Sequence, residues 1–200
     1  MKSKKGEVPS EFENLLIQNK KKEKEKKEYV NWSWIFKIVI IAFLISIGMS
    51  FVSESTIPHM SLFFGVVVTL LFVFLGILFD IVGVSVTTAD EAVFHSMNSR
   101  KVKGANVAVK FKKNADKVSS FCCDVIGDIC GIVSGAAGTT ISLLIASKLS
   151  TDPFITSLVV SATIASITIG GKAIGKSFAI NKSDIILYEF AKFISNFYKG

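Results

Sequence analysis

The amino-acid sequence predicts an all-α, polytopic membrane helix bundle with about four transmembrane helices. Half of the 200 residues are hydrophobic, and they gather in long blocks separated by short lysine-rich stretches. A helix needs about 20 mostly apolar residues to cross a bilayer. The blocks that reach or approach this length are residues 35–52, 62–86, 118–146 and 154–169.

The first block follows a charged tail, residues 1–30, which we expect to be cytoplasmic. This long polar start, with no clear cleavage site after the block, argues against a secretory signal peptide. Tyr29, Trp32 and Trp34 stand where interfacial aromatic anchors are expected. Residues 31–60 therefore form an N-terminal transmembrane helix and an outer loop in this prediction.

The block 118–146 is rich in small residues, which is typical of a helix packed inside a bundle. Asp124 and Asp128 are four residues apart, so their carboxylates lie on one face of a helix. That face continues with glycines: Gly131, Gly135 and Gly138. We predict that a neighbouring helix packs closely against this glycine ridge and brings other groups to the carboxylates.

Basic residues are concentrated in residues 20–27, 100–117 and 172–199, whereas the loops 53–61 and 150–153 contain no Lys or Arg. Since positive segments stay on the cytoplasmic side, four crossings with both termini cytoplasmic fit every segment. The formal net charge of +7 is then explained by orientation in the cell membrane and by attraction to anionic lipid. The expected partner is the lipid bilayer, and no nucleic acid is expected.

Two catalytic classes are disfavoured. Residues 170–177 read GGKAIGKS and match the phosphate-binding pattern GxxxxGK[ST], but no β/α alternation surrounds them, so we interpret them as the end of a membrane helix and expect no nucleotide. The only histidines are His59 in the outer loop and His95 on the inner side. These positions assemble no catalytic constellation, and we expect that the protein is not an enzyme.

Four patches follow one another between residues 89 and 199. They are residues 89–98 (ADEAVFHSMN), residues 103–120 (KGANVAVKFKKNADKVSS), residues 171–177 (GKAIGKS) and the amphipathic residues 181–199. In order and spacing they resemble the transmembrane domain of the CNNM/CorB/CorC magnesium-transport family. The corresponding family segments read SETAL followed by SLN, then GNxxAxxxxxLxxNPDRLLS, then GExxPKS, and a belt helix comes last.

The resemblance implies a short re-entrant helical segment after residues 62–86, two further crossings, a C-terminal amphipathic belt helix at the cytoplasmic face, and a homodimer. Residues 61–200 would be the CNNM-like transmembrane domain and the first helix an addition to it. As the chain ends at Gly200, we expect it to lack the family's CBS regulatory domains and their nucleotide gating.

The resemblance also implies transport or sensing of a divalent cation, magnesium or cobalt. Ionisable residues at membrane depth commonly mark ion paths, and Mg²⁺ prefers oxygen ligands. The predicted metal ligands are Thr87, Thr88, Asp90, Glu91, Asp124 and Asp128. The structural alternative is that these acids pair with buried donors such as Lys172 and Lys176.

Two departures from the family pattern lie in the third patch. Lys172 stands where the family has a glutamate that ligates the cation, and Gly175 stands where it has a proline. In the first reading, which the sequence favours, Asp124 and Asp128 compensate for the missing glutamate, and the protein still transports or senses a cation. In the other, Lys172 replaces the cation through a salt bridge to Asp124 or Asp128, and the protein is a transport-inactive scaffold or partner subunit.

Overall fold

The computed structural model describes residues 32–57 and 60–197. The predicted charged tail, residues 1–30, lies outside the described residues. The chain divides into two units, Met1–Phe36 and Lys37–Gly200, and all packing given below is within the second.

The described residues are helical, without a β-strand, as predicted. The helices, numbered in chain order, are α1 (Trp32–Thr56), α2 (Leu62–Thr88), α3 (Glu91–Ser99), α4 (Ala105–Lys113), α5 (Ala115–Leu149), α6 (Pro153–Asn181) and α7 (Ser183–Phe197). Helix α5 contains a wider π-helical segment, Phe121–Gly127, between two α-helical parts.

Four of these helices, α1, α2, α5 and α6, are long and apolar enough to cross a membrane, which confirms the prediction of four long apolar helices. Large apolar side chains on their outer faces have no protein cover: Phe51 is 72% exposed, Phe63 71% and Phe154 72%. Exposed apolar side chains in this number are typical of a membrane-facing or protein-binding surface. The fold is therefore compatible with a multi-pass membrane protein.

Helix α2 lies at the centre of the bundle and packs against both α5 and α6, which also pack against each other. Its glycines allow the close approach to α5. A Cβ atom on Gly76 would lie 3.1 Å from Cys130 Cβ and 3.2 Å from the Gly127 carbonyl oxygen, and one on Gly83 would lie 3.2 Å from Cys122 Cβ. Small residues commonly permit such contacts between membrane helices.

A compact apolar core joins the end of α2 to the short helices α3 and α4 and to α7. Its fully buried members include Phe94, Leu187 and Ala191. Helices α3 and α4 stand where the sequence predicts a short helical segment after the second span, and the amphipathic α7 stands where it predicts the C-terminal amphipathic helix.

Gly104 immediately precedes helix α4 as its N-cap and has a left-handed backbone, φ 88°. Most residues avoid this conformation because Cβ crowds the backbone. Here a Cβ would also lie 2.8 Å from Cα of Lys192 on α7. Glycine thus permits both the turn from α3 to α4 and the docking of α7.

Lys112 on α4 caps the end of α2. Its Nζ donates hydrogen bonds to the carbonyl oxygens of Thr87 (2.7 Å) and Val86 (3.2 Å). We expect Lys112→Met to lower the free energy of unfolding by about 1.5 kcal/mol, since charge-assisted bonds to helix-end carbonyls are lost. Chemical denaturation in detergent micelles measures this change. Lys113→Met is the matched control, and an equal loss in both variants would contradict the capping role.

Candidate functional site

The predicted metal ligands fall into two groups. Thr87 and Thr88 end α2, Asp90 precedes α3, and Glu91 begins α3, whereas Asp124 and Asp128 belong to α5. Among the described residues, no group of three or more His, Cys, Asp or Glu side chains lies close enough to hold a metal ion.

The first group is engaged in local hydrogen bonds at the junction of α2 and α3. The hydroxyls of Thr87 and Thr88 both donate to the Val84 carbonyl oxygen, at 2.8 Å and 2.9 Å. The Asp90 carboxylate accepts from the Ala92 amide at 2.9 Å, as helix N-caps do. Glu91 Oε1 lies 3.1 Å from His95 Nε2. These hydrogen bonds are of the kind that commonly stabilise the ends of helices, and they account for the four side chains without a metal ion.

A second contact ties this junction to α7. The backbone N–H of Asp90 donates to Asp184 Oδ1 at 2.8 Å. Asp184 lies in the first turn of α7, where a carboxylate also interacts favourably with the helix dipole. Asp184 thus fixes the start of α7 beside the end of α2, a role that sequence analysis missed because the partners are 94 residues apart.

Asp128 forms an ion pair with Lys172 across the α5–α6 interface. Lys172 Nζ donates to Asp128 Oδ1 at 3.1 Å. The Lys172 side chain is 27% exposed and the Asp128 side chain 63% exposed, so the lysine is the more enclosed partner. Its ammonium reaches α5 beside Gly127, on which a Cβ would lie 3.8 Å away. The two helices therefore present opposite charges to each other at one level.

Asp124 is placed differently, although it lies on the same helix. It is exposed, within the π-helical segment, and its carboxylate forms no hydrogen bond or ion pair with any residue in the described ranges. Cys123, its neighbour, donates through Sγ to the Asp80 carbonyl oxygen at 3.6 Å. The ion pair with Lys172 thus involves only one of the two aspartates that the sequence placed on one face.

The predicted glycine ridge is correct at only one of its positions. A Cβ on Gly138 would collide with Ile164 of α6, whereas one on Gly131 or Gly135 would meet nothing within 4 Å. The prediction for Gly131 and Gly135 was wrong because α5 turns these two residues away from α2 and α6. The close contacts to α5 come instead from Gly76 and Gly83 of α2. These glycines are seven residues apart, which is two helical turns, so the sequence already placed them on one face of α2.

Residues 170–177, which match the phosphate-binding pattern, are continuous helix within α6. Their backbone amides are used in the helix and cannot surround a phosphate group. A Cβ on Gly171 would collide with Ile77, and one on Gly175 would lie 2.8 Å from Ile81 Cγ1. These glycines therefore form a groove that receives side chains of α2. Helix α6 also continues without a break through Gly175, the position at which the CNNM/CorB/CorC pattern has a proline.

Comparisons of the chain with protein-family models, with curated proteins and with solved structures give no match.

Proposed function

We propose that the chain is a transport-inactive membrane protein of the CNNM type, acting as a scaffold or partner subunit, in which the Lys172 ammonium takes the place of a bound cation. The observation that carries this proposal is the 3.1 Å contact between Lys172 Nζ and Asp128 Oδ1. The ammonium already neutralises the carboxylate that a divalent cation would need, and it would repel that cation.

The depth of the pair supports this role. About 20 helical residues cross the hydrocarbon core of a bilayer. Counted from Leu149 at the outer end of α5, this length ends near Asp128. On α6 the same length runs from Pro153 to the region of Lys172. The pair would thus lie near the inner boundary of the hydrocarbon core, where an unpaired charge is costly and a paired one is tolerated.

The proposal includes an orientation. The positive-inside bias puts both termini in the cytoplasm, with α3 and α4 as the re-entrant segment and α7 as the belt helix.

The proposed assembly is a homodimer. Asp128 is 63% exposed beside the open space at Gly131 and Gly135, and charged groups at membrane depth are normally covered by protein or water. A second copy of the chain would supply that cover.

Isothermal titration of MgCl₂ into the detergent-purified protein tests the proposal. We expect no saturable binding by the wild type and a gain of binding in Lys172→Glu, which restores the family's carboxylate beside Asp128. Lys176→Glu, one turn further along α6, adds the same charge elsewhere and is the matched control. Failure of Lys172→Glu to bind magnesium would contradict the replacement of a cation by the lysine.

The alternative function is transport or sensing of a divalent cation, and the observation that favours it is Asp124. This carboxylate lies one turn before Asp128 and has no described partner. In this case the wild type would bind magnesium saturably and Asp124→Asn would abolish the binding. That result would overturn the proposal of a transport-inactive protein.

A further inference from the structure

An apolar cavity of about 460 Å³ lies between α2, α4, α5 and α7. Its walls include aromatic side chains from each of these helices: Phe79, Phe111, Phe121, Phe190 and Phe193. The rings of Phe111 and Phe190 lie 5.8 Å apart and hold α4 against α7 on one side of the cavity. Small-molecule and lipid sites are typically concave, apolar spaces of about 300–1,000 Å³.

One charged side chain, Lys117, lines this otherwise apolar cavity. Lys117 lies in the first part of α5, one turn before the π-helical segment, and it is exposed. Its side-chain ammonium forms no hydrogen bond or ion pair with the described part of the chain. By contrast, Lys112 of α4 is bound to the end of α2, and Lys192 of α7 is paired with Glu189 at 3.6 Å.

The combination of an apolar space and one cation without a protein partner matches an anionic amphiphile. An acyl chain fits the aromatic walls, and a phosphate group fits the ammonium at their edge. The cavity lies at the end of the bundle that carries the basic loop between α2 and α5, where anionic headgroups would be attracted. A soluble anion would gain nothing from the aromatic walls.

We propose that this cavity binds one anionic phospholipid of the inner leaflet, with an acyl chain between α5 and α7 and its phosphate on Lys117. The proposal requires that the four long helices span a membrane. It does not depend on whether Lys172 replaces a cation, because the cavity and the ion pair share no residue.

The test is native mass spectrometry of the full chain, titrated with phosphatidylglycerol or with phosphatidylcholine of the same acyl chains. The wild type should retain one phosphatidylglycerol in preference to phosphatidylcholine. Lys117→Gln should weaken phosphatidylglycerol binding about fivefold, since one lysine near an anionic surface contributes about this factor, and should leave phosphatidylcholine binding unchanged. Lys113→Gln, in the same basic stretch but outside the cavity, should leave both unchanged.

Two results would overturn the proposal. Equal retention of the two lipids by the wild type would show that no headgroup is recognised. Equal weakening in Lys117→Gln and Lys113→Gln would show diffuse attraction to basic residues rather than a site. Val118→Trp, which adds bulk to the cavity wall, supplies a second check because it should reduce retention of phosphatidylglycerol without a change of charge.

Discussion

Replacing Gly104 by alanine should lower the free energy of unfolding by about 3 kcal/mol, the combined effect of a left-handed backbone and a steric overlap. The backbone at Gly104 has φ 88°, which costs a non-glycine residue about 1–2 kcal/mol. The new methyl group would also lie 2.8 Å from Cα of Lys192, an atom that no rotamer change can move. Helix α7 would have to shift away from α4.

The measurement is chemical denaturation of the variant in detergent micelles, together with proteolysis to detect release of α7. Gly48→Ala is the control, because a Cβ at Gly48 of α1 would meet nothing within 4 Å and the backbone there is helical. The control should be unchanged or slightly more stable, as alanine favours helix over glycine. If Gly104→Ala is as stable as its control, α7 is not docked closely on the α3–α4 turn.

The second large effect is expected for Lys172→Met, which should lower the free energy of unfolding by about 2 kcal/mol. Breaking an ion pair costs about 1 kcal/mol or less at an exposed surface and about 3–5 kcal/mol when fully buried. The Lys172 side chain is 27% exposed and its Asp128 partner 63%, which places this pair between these limits. The loss arises chiefly from leaving the Asp128 carboxylate without its partner.

A double-mutant cycle isolates this interaction. Asp128→Asn alone should also lower the free energy of unfolding. The double variant, Asp128→Asn with Lys172→Met, should lose about 1 kcal/mol less of this free energy than the sum of the two single variants, because no charge is left unpaired. Lys176→Met, with no partner in the described residues, should be within about 0.5 kcal/mol of the wild type. Strict additivity of the two single changes would show that the observed ion pair contributes no interaction energy.

Much of the fold follows from local pattern. Block length predicted the four long helices, and the resemblance to the CNNM/CorB/CorC family implied an amphipathic helix over residues 181–199, where helix α7 lies. The rejection of a nucleotide-binding loop at residues 170–177 agrees with their helical structure. The π-helical segment Phe121–Gly127 was not predicted, since nothing in its composition separates it from an ordinary helix.

The candidate site was less predictable. The sequence offered Lys172 either Asp124 or Asp128 as a partner, and the structure brings it to Asp128. It placed Thr87, Thr88, Asp90 and Glu91 near one end of the bundle but did not show that each forms local bonds at the α2–α3 junction. Local hydrogen bonds depend on side-chain geometry, which residue type alone leaves open.

The sequence by itself determined that the part of the chain that the structure describes is helical, which segments are long and apolar enough to span a membrane, and where along the chain the basic residues lie. These properties depend on neighbours within a few residues, because helix formation and hydrophobic length are local. Only the tertiary structure decided that Gly76 and Gly83 face α5 while Gly131 and Gly135 face open space. It alone decided that Lys172 reaches Asp128, 44 residues away, because the rotation of each helix about its axis is set by packing against its neighbours.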